Sequence, residues 1–203
     1  MPRTAERGGP QTRARISHIA TELFIARGFD AVTVADVAKA AGVSSVTVFN
    51  HFPRKDDLLF DRTGDAEAFL REAIRTRPAG TDVVAALRTT ALGIAADRSA
   101  LSALGDGAEP FFRMVADSPA LVARVREIGS DLEALLRAEL AADDAFDGDP
   151  ALLAAFVIAG YGSVMARTAR QRLDGDDLAA VADAHRRRVE RLFDALEHGT
   201  AAR

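Results

Sequence analysis

The chain has 203 residues, 48% hydrophobic and 28% charged, with a formal net charge of -4, which supplies core material for one medium domain or for a small domain joined to a larger one. It contains no cysteine, so disulfides, thiolate metal sites and cysteine nucleophiles are excluded. The opening stretch MPRTAERGGPQTRAR is charged and lacks the apolar segment of a secretory signal, and a soluble, cytoplasmic protein is expected.

Charge is unevenly spread. Through Lys55 there are eight Lys/Arg and four Asp/Glu, or +4; the remainder carries 18 and 26, or -8. A basic front on an acidic body fits an anion-binding N-terminal module joined to a body with another task, and chance clustering is the bland alternative.

Residues 1–11 contain Pro2, Gly8, Gly9 and Pro10 and read as a flexible basic arm. A first helix follows, with Ile16, Ile19, Ala20, Leu23 and Phe24 on one face and Gly28 just past its end. Thr33 and Asp36 are spaced as a capping box. They open a second helix that runs to about Ala41, with Val34, Val37, Ala38 and Ala41 inward. Gly42 turns the chain, Ser44 caps a third helix, and Val43, Val48 and Phe52 form its inner side. A fourth helix is expected from near Lys55 to about Arg77, a fifth from Asp82 to Asp97, and short pieces at Ala100–Leu104 and after Pro110. Ser118-Pro119 and Asp149-Pro150 mark two further starts, and a last helix spans about Asp176 to His198. No segment alternates with period two over a useful length, so the fold class is all-α.

A helix, a glycine turn and a short third helix have the dimensions of a helix-turn-helix, whose last helix enters the DNA major groove. The motif residues are Gly28-Phe29, Thr33, Ala41-Gly42-Val43-Ser44, then Phe49, His51, Phe52, Lys55 and Leu58. Over about residues 12 to 60 the chain resembles the DNA-binding domain of the TetR family of transcriptional repressors. The resemblance implies an N-terminal three-helix DNA-binding domain over residues 1–55 and a larger helical effector and dimerisation domain over 56–203. It places Thr33 and Lys55 where the family contacts phosphates, each near a helix N-terminus. Ser44, Ser45, Thr47 and Asn50 fall on the exposed edge of the recognition helix, Asn50 suited to adenine and Val46 to a thymine methyl. His51 matches a position that often meets the DNA backbone, and packing on the first helix is the equal alternative. Phe49 replaces the family's usual Tyr and so lacks the phenol that bonds phosphate. The third helix carries no Lys or Arg, leaving Arg54, Lys55, Lys39, Arg3, Arg7 and Arg13 to supply the electrostatics.

The family uses its remaining helices to dimerise and to hold a small effector. In PALLAAFVIAGYGSVMARTA, the small residues Ala155, Ala159, Gly162 and Ala166 recur at helical spacing and permit close helix approach. The apolar run ends at Arg167, so no membrane span is expected. With Val181, His185, Val189 and Leu192 of the last helix, those residues are the expected homodimer face, a four-helix bundle about a two-fold axis. Filling of the monomer core is the alternative. Phe111, Phe112, Met114, Val115, Phe156, Tyr161 and Met165 line a cavity or belong to the core. FFRMVADSPALVARV also resembles a branch of the family proposed to bind acyl-CoA-like molecules.

Other chemistry finds no footing. DDAFDGDP would place its closing calcium ligand at Ala154, so it reads as an interhelical loop. The four histidines lack metal-ligand spacing, no nucleophile motif or phosphate-cradling loop occurs, and Asp106 and Glu109 read as solvated caps. The expected protein is no enzyme and needs no cofactor. Its expected partners are double-stranded operator DNA, a second copy of itself and a small apolar or amphipathic effector.

Overall fold

The computed structural model describes residues 9–198, and the described residues form nine α-helices and no strand. The chain divides into two compact units. The first runs to Asp61 and takes in Arg113–Arg124; the second comprises Arg62–Phe112 and the chain from Val125 onward.

The first unit is built on α1 (Gly9–Arg27), α2 (Val34–Ala41) and α3 (Ser45–His51). α1 begins at Gly9, earlier than the sequence suggests, because Pro10 is tolerated in a first helical turn. The expected basic arm, with Arg3 and Arg7, otherwise lies outside the described residues. Ile16, Ala20 and Phe24 of α1 are buried together with Phe29, Val32, Val37, Ala38, Ala41, Val48 and Phe52. This is the apolar face read from the sequence.

The expected fourth helix does not start at Lys55. A 3-10 turn at Asp56–Leu58 comes first, and α4 spans Thr63–Arg75. The Arg54 amide donates to the Asp57 carboxylate at 2.9 Å, and buried Ser17 donates to the Leu58 carbonyl at 3.2 Å and to Asp61 at 2.6 Å. The first bond closes the turn and the two from Ser17 tie residues 58–61 to α1, and the division between units falls after Asp61 rather than after residue 55.

The remaining helices are α5 (Val83–Ala96), α6 (Glu109–Asp117), α7 (Pro119–Ala141), α8 (Pro150–Leu173) and α9 (Leu178–His198), with a 3-10 turn at Ala100–Ser102. Asp82 and Asp149 cap α5 and α8 through carboxylate acceptors, as their positions before the helices predict. The core of the second unit gathers Ala73 and Ile74 of α4, Leu87 and Ala91 of α5, Leu136 and Leu140 of α7, Val157 and Val164 of α8, and Val189 and Phe193 of α9. Glu109 is no solvated cap. Its carboxylate takes the Arg172 guanidinium, whose side chain is buried and also donates to the Gly105 carbonyl at 3.2 Å. That pairing holds the Glu109 carboxyl below the usual carboxylate range.

Candidate nucleic-acid interface and body surfaces

The turn before α3 is fixed by Gly42, whose φ of 65° lies in the left-handed region. Ser44 caps α3: its hydroxyl accepts from the Thr47 amide at 3.0 Å and lies 2.8 Å from the Thr47 hydroxyl. Val48, fully buried, and the following Phe52 hold the helix to the unit. The opposite side is free. Val46 is 68% exposed and Phe49 50% exposed, and Asn50 is exposed beside them. Positions 46, 49 and 50 share one helical face, so a seven-residue helix presents two apolar side chains and one amide outward. Ser45, Thr47 and His51 are half-buried at its margins, and Ser44 is exposed.

Thr33 forms the full capping box. Its hydroxyl accepts from the Asp36 amide at 3.1 Å and donates to the Asp36 carboxylate at 2.6 Å, while its own amide donates to that carboxylate at 2.9 Å. The hydrogen bonds from Thr33 hold the Asp36 carboxyl below its ordinary range. The Thr33 hydroxyl proton is thus directed at Asp36.

The cations divide by what they touch. The Lys55 ammonium donates to the Phe29 carbonyl at 2.6 Å and lies 4.2 Å from the Phe29 ring centre. Arg13 donates to the His51 carbonyl and stacks 4.1 Å from the centre of the Phe52 ring. Arg54 pairs with Asp56 at 2.8 Å. Lys39, exposed in the last turn of α2, has no ion pair among the described residues. Two cations that the sequence assigns to electrostatics, Lys55 and Arg13, therefore brace the unit itself. Charge and spacing alone do not distinguish a brace from a DNA contact.

In the second unit the expected dimer residues separate. Val181, His185 and Val189 are fully buried within the single chain; they are core and are not available to a partner. Leu192 lies over Gly160 and packs on the same core. Ala159, Gly162 and Ala166 are exposed and Ala155 half-buried. Leu152 and Phe156 beside them are 52% and 53% exposed. Phe156, expected to face a cavity, thus stands on the outside of α8. α8 is also long and apolar enough to cross a membrane by length and composition alone; here it forms one wall of the core.

The other expected cavity residues are half-buried. Tyr161 donates to the Leu101 carbonyl at 3.0 Å and meets the His185 ring edge-on, and burial pushes its pKa well up. Phe111 and Phe112 form an edge-to-face pair. Met114 and Val115 belong to the first unit, and Met165 to the second. Two concavities occur elsewhere in the second unit. One of about 550 Å³ lies along α4 and α5, lined by Phe69, Ala73, Ala86, Thr90, Gly93 and Ile94 among others. Another of about 650 Å³ is edged by the ion pairs Arg75–Glu139 and Arg77–Asp143. None of the seven expected residues lines either.

Comparison with known proteins agrees with the α1–α3 geometry. Residues 16–61 match the family described as bacterial regulatory proteins, tetR family. The HTH-type transcriptional regulator TcmR of Streptomyces glaucescens is 30% identical over 173 residues, covering 82% of this chain and 76% of that protein. Among solved structures, Thermus thermophilus FadR, a TetR family transcriptional repressor in complex with lauroyl-CoA, is 28% identical with a TM-score of 0.55, over 94% of this chain and 96% of that one. NalD, the secondary repressor of the MexAB-OprM multidrug efflux pump in Pseudomonas aeruginosa, shares the fold at 18% identity and a TM-score of 0.54, over 92% of this chain and 97% of its own. The capped turn, the outward face of α3 and the kinship with TcmR have one explanation: the chain belongs to the TetR family of DNA-binding transcriptional regulators.

Proposed function

We propose that the protein is a homodimeric repressor that binds operator DNA in the cytoplasm and leaves it when a small molecule fills the body. Val46, Phe49 and Asn50 enter the major groove, with Ser44, Ser45, Thr47 and His51 at the margin and Thr33 toward the phosphates. Two recognition helices must meet grooves about 34 Å apart. An effector that binds better to a body conformation with another spacing therefore releases DNA.

The observation that carries the dimer is the outer face of α8, where Leu152, Phe156, Ala159, Gly162 and Ala166 are exposed together. Large apolar side chains on a helix with an otherwise small-residue face suit a second copy packed closely about a two-fold axis. The concavity along α4 and α5, rich in apolar and threonine side chains, suits an apolar or amphipathic effector. The lauroyl-CoA complex of the Thermus relative supports an acyl-CoA-like class.

Ala159→Glu tests the assembly. Ala159 is exposed in the single chain, so the variant should fold, while two unpaired buried carboxylates at a two-fold interface should abolish the dimer. Sedimentation reads the result. A variant that remains a tight dimer places the interface elsewhere.

A further inference from the structure

α3 offers a base edge two apolar side chains, one amide and no strong cation. Its sequence SVTVFNH contains neither Lys nor Arg, so it cannot make the two-pronged contact to guanine O6 and N7 that is the commonest base-specific one. Val46, at 68%, is the most exposed large hydrophobic side chain among the described residues, and Phe49 follows it one turn on at 50%. Apolar side chains standing in water on both sides of one turn gain free energy only when something apolar covers them. In the major groove that partner is the C5-methyl group of thymine.

The polar side chains of the same segment divide by what they already bond. The Ser44 and Thr47 hydroxyls lie 2.8 Å apart and share one proton, and Ser44 also accepts from the Thr47 amide at 3.0 Å. Their geometry is set by the helix cap rather than by a base. The His51 ring lies 6.4 Å from the buried Phe52 ring, centre to centre, and the His51 carbonyl accepts from Arg13. Asn50 is exposed, and its amide makes no hydrogen bond among the described residues. An amide of this kind pairs with adenine N6 and N7 through one donor and one acceptor. Val46 and Asn50 are four residues apart on one helical face, with Cβ atoms about 5–6 Å from each other. Base pairs stack about 3.4 Å apart, so the two side chains reach neighbouring pairs of one half-site.

We propose that α3 selects its half-site by a thymine methyl group against Val46 and an adenine against Asn50, within about three base pairs of each other, and without a guanine contact from α3. Phe49 widens the apolar surface and adds no donor or acceptor. The inference rests on the reading of the protein as an operator-binding regulator and names the base chemistry that such an operator must present. Affinity and selectivity then come from different places: cations outside α3 hold phosphates, and uncharged groups on α3 choose the sequence.

Selection from a random duplex library with the full-length protein supplies the probe. Each thymine of the selected duplex is then replaced singly by deoxyuridine, which keeps the pairing edge and removes only the C5-methyl group. At one or more thymines of each half-site, affinity should fall about three- to fivefold, the worth of one methyl group taken out of water. Val46→Ser should lose less than about twofold at the same thymine. Melting checks that this variant folds, and Val46→Ala replaces it otherwise. The wild-type penalty should hold as salt rises and overall affinity falls, because a methyl contact releases no counterion. The base pair at which Asn50→Ala relaxes preference should be A·T and lie within about three pairs of that thymine. Enrichment of no sequence overturns the operator reading and this inference together. A selected duplex in which no thymine responds, or in which wild type and Val46→Ser lose equally at every one, overturns this inference alone. So does an Asn50-dependent pair that is G·C.

Discussion

The Lys55 ammonium donates to the Phe29 carbonyl oxygen at 2.6 Å and rests 4.2 Å from the centre of the same residue's ring. It joins the entry of the 3-10 turn after α3 to the loop that follows α1, and burial lowers its pKa against the pull of Asp30. A charged hydrogen bond and a cation–π contact together give an expected loss of about 2–3 kcal/mol for Lys55→Met. Denaturant unfolding should show that loss. Operator affinity measured well below the transition should fall less than a lost phosphate contact requires. Full stability with a shallower salt dependence would return Lys55 to the phosphates.

Lys39 and Asn50 should separate charge from sequence reading. Lys39→Ala is expected to weaken binding to all DNA alike and to reduce the salt slope by about one contact. Asn50→Ala should cost about 1–3 kcal/mol of preference at one base pair and leave the salt slope unchanged. Titrations over salt with matched and altered operators read both quantities, and identical behaviour of the two variants would refute the division.

Phe49 is 50% exposed, which decides how its hydroxylated variant behaves. Phe49→Tyr adds an oxygen that water can reach, so the melting temperature should be unchanged. Where the ring lies beside DNA, one phosphate hydrogen bond of about 0.5–1.5 kcal/mol should tighten binding by roughly three- to tenfold without altering sequence preference. Unchanged affinity in a fully stable variant would place the ring over the bases.

His185 should give the body a measurable acid weakness. The Thr168 hydroxyl bonds both the Val164 carbonyl and His185 Nδ1, each at 2.9 Å. Its one proton goes to the carbonyl, so Nδ1–H donates and the buried Nε2 is a bare acceptor. Burial, and next the Arg188 charge, push the His185 pKa down from 6.5 to about 4. Between those values the unfolded chain binds the extra proton. Stability is therefore fully present above about pH 6.5 and is lost as pH falls toward 4, by on the order of 3 kcal/mol in all. Unfolding free energies across pH should show one proton less of slope in His185→Asn. Parallel curves would assign the acid loss to carboxylates.

The DNA-binding unit was legible because its signals are local. Thr33 and Asp36, Gly42, and Ser44 each act within a few residues, and the structure places all four as spacing predicts. The periodicity of α9 was equally plain, yet it misassigned Val181, His185 and Val189, because an apolar stripe has the same period whether its cover comes from α5 and α8 or from a partner. Arg172 and Glu109 stand 63 residues apart in the chain, a separation at which no pattern of spacing announces a pair.

Of the seven residues of α3, Val48 alone is buried. Its cap is outside the helix at Ser44, and the left-handed turn is outside it at Gly42. The information that selects an operator is thus physically separated from the information that folds the reader. Val46, Phe49 and Asn50, exposed on its outer face, can be exchanged with little penalty to the unit's stability, so new binding specificities are reachable by single substitutions, each passing through a folded protein. The same partition makes α3 a practical place for a saturation library, in which loss of binding would report altered recognition rather than collapse.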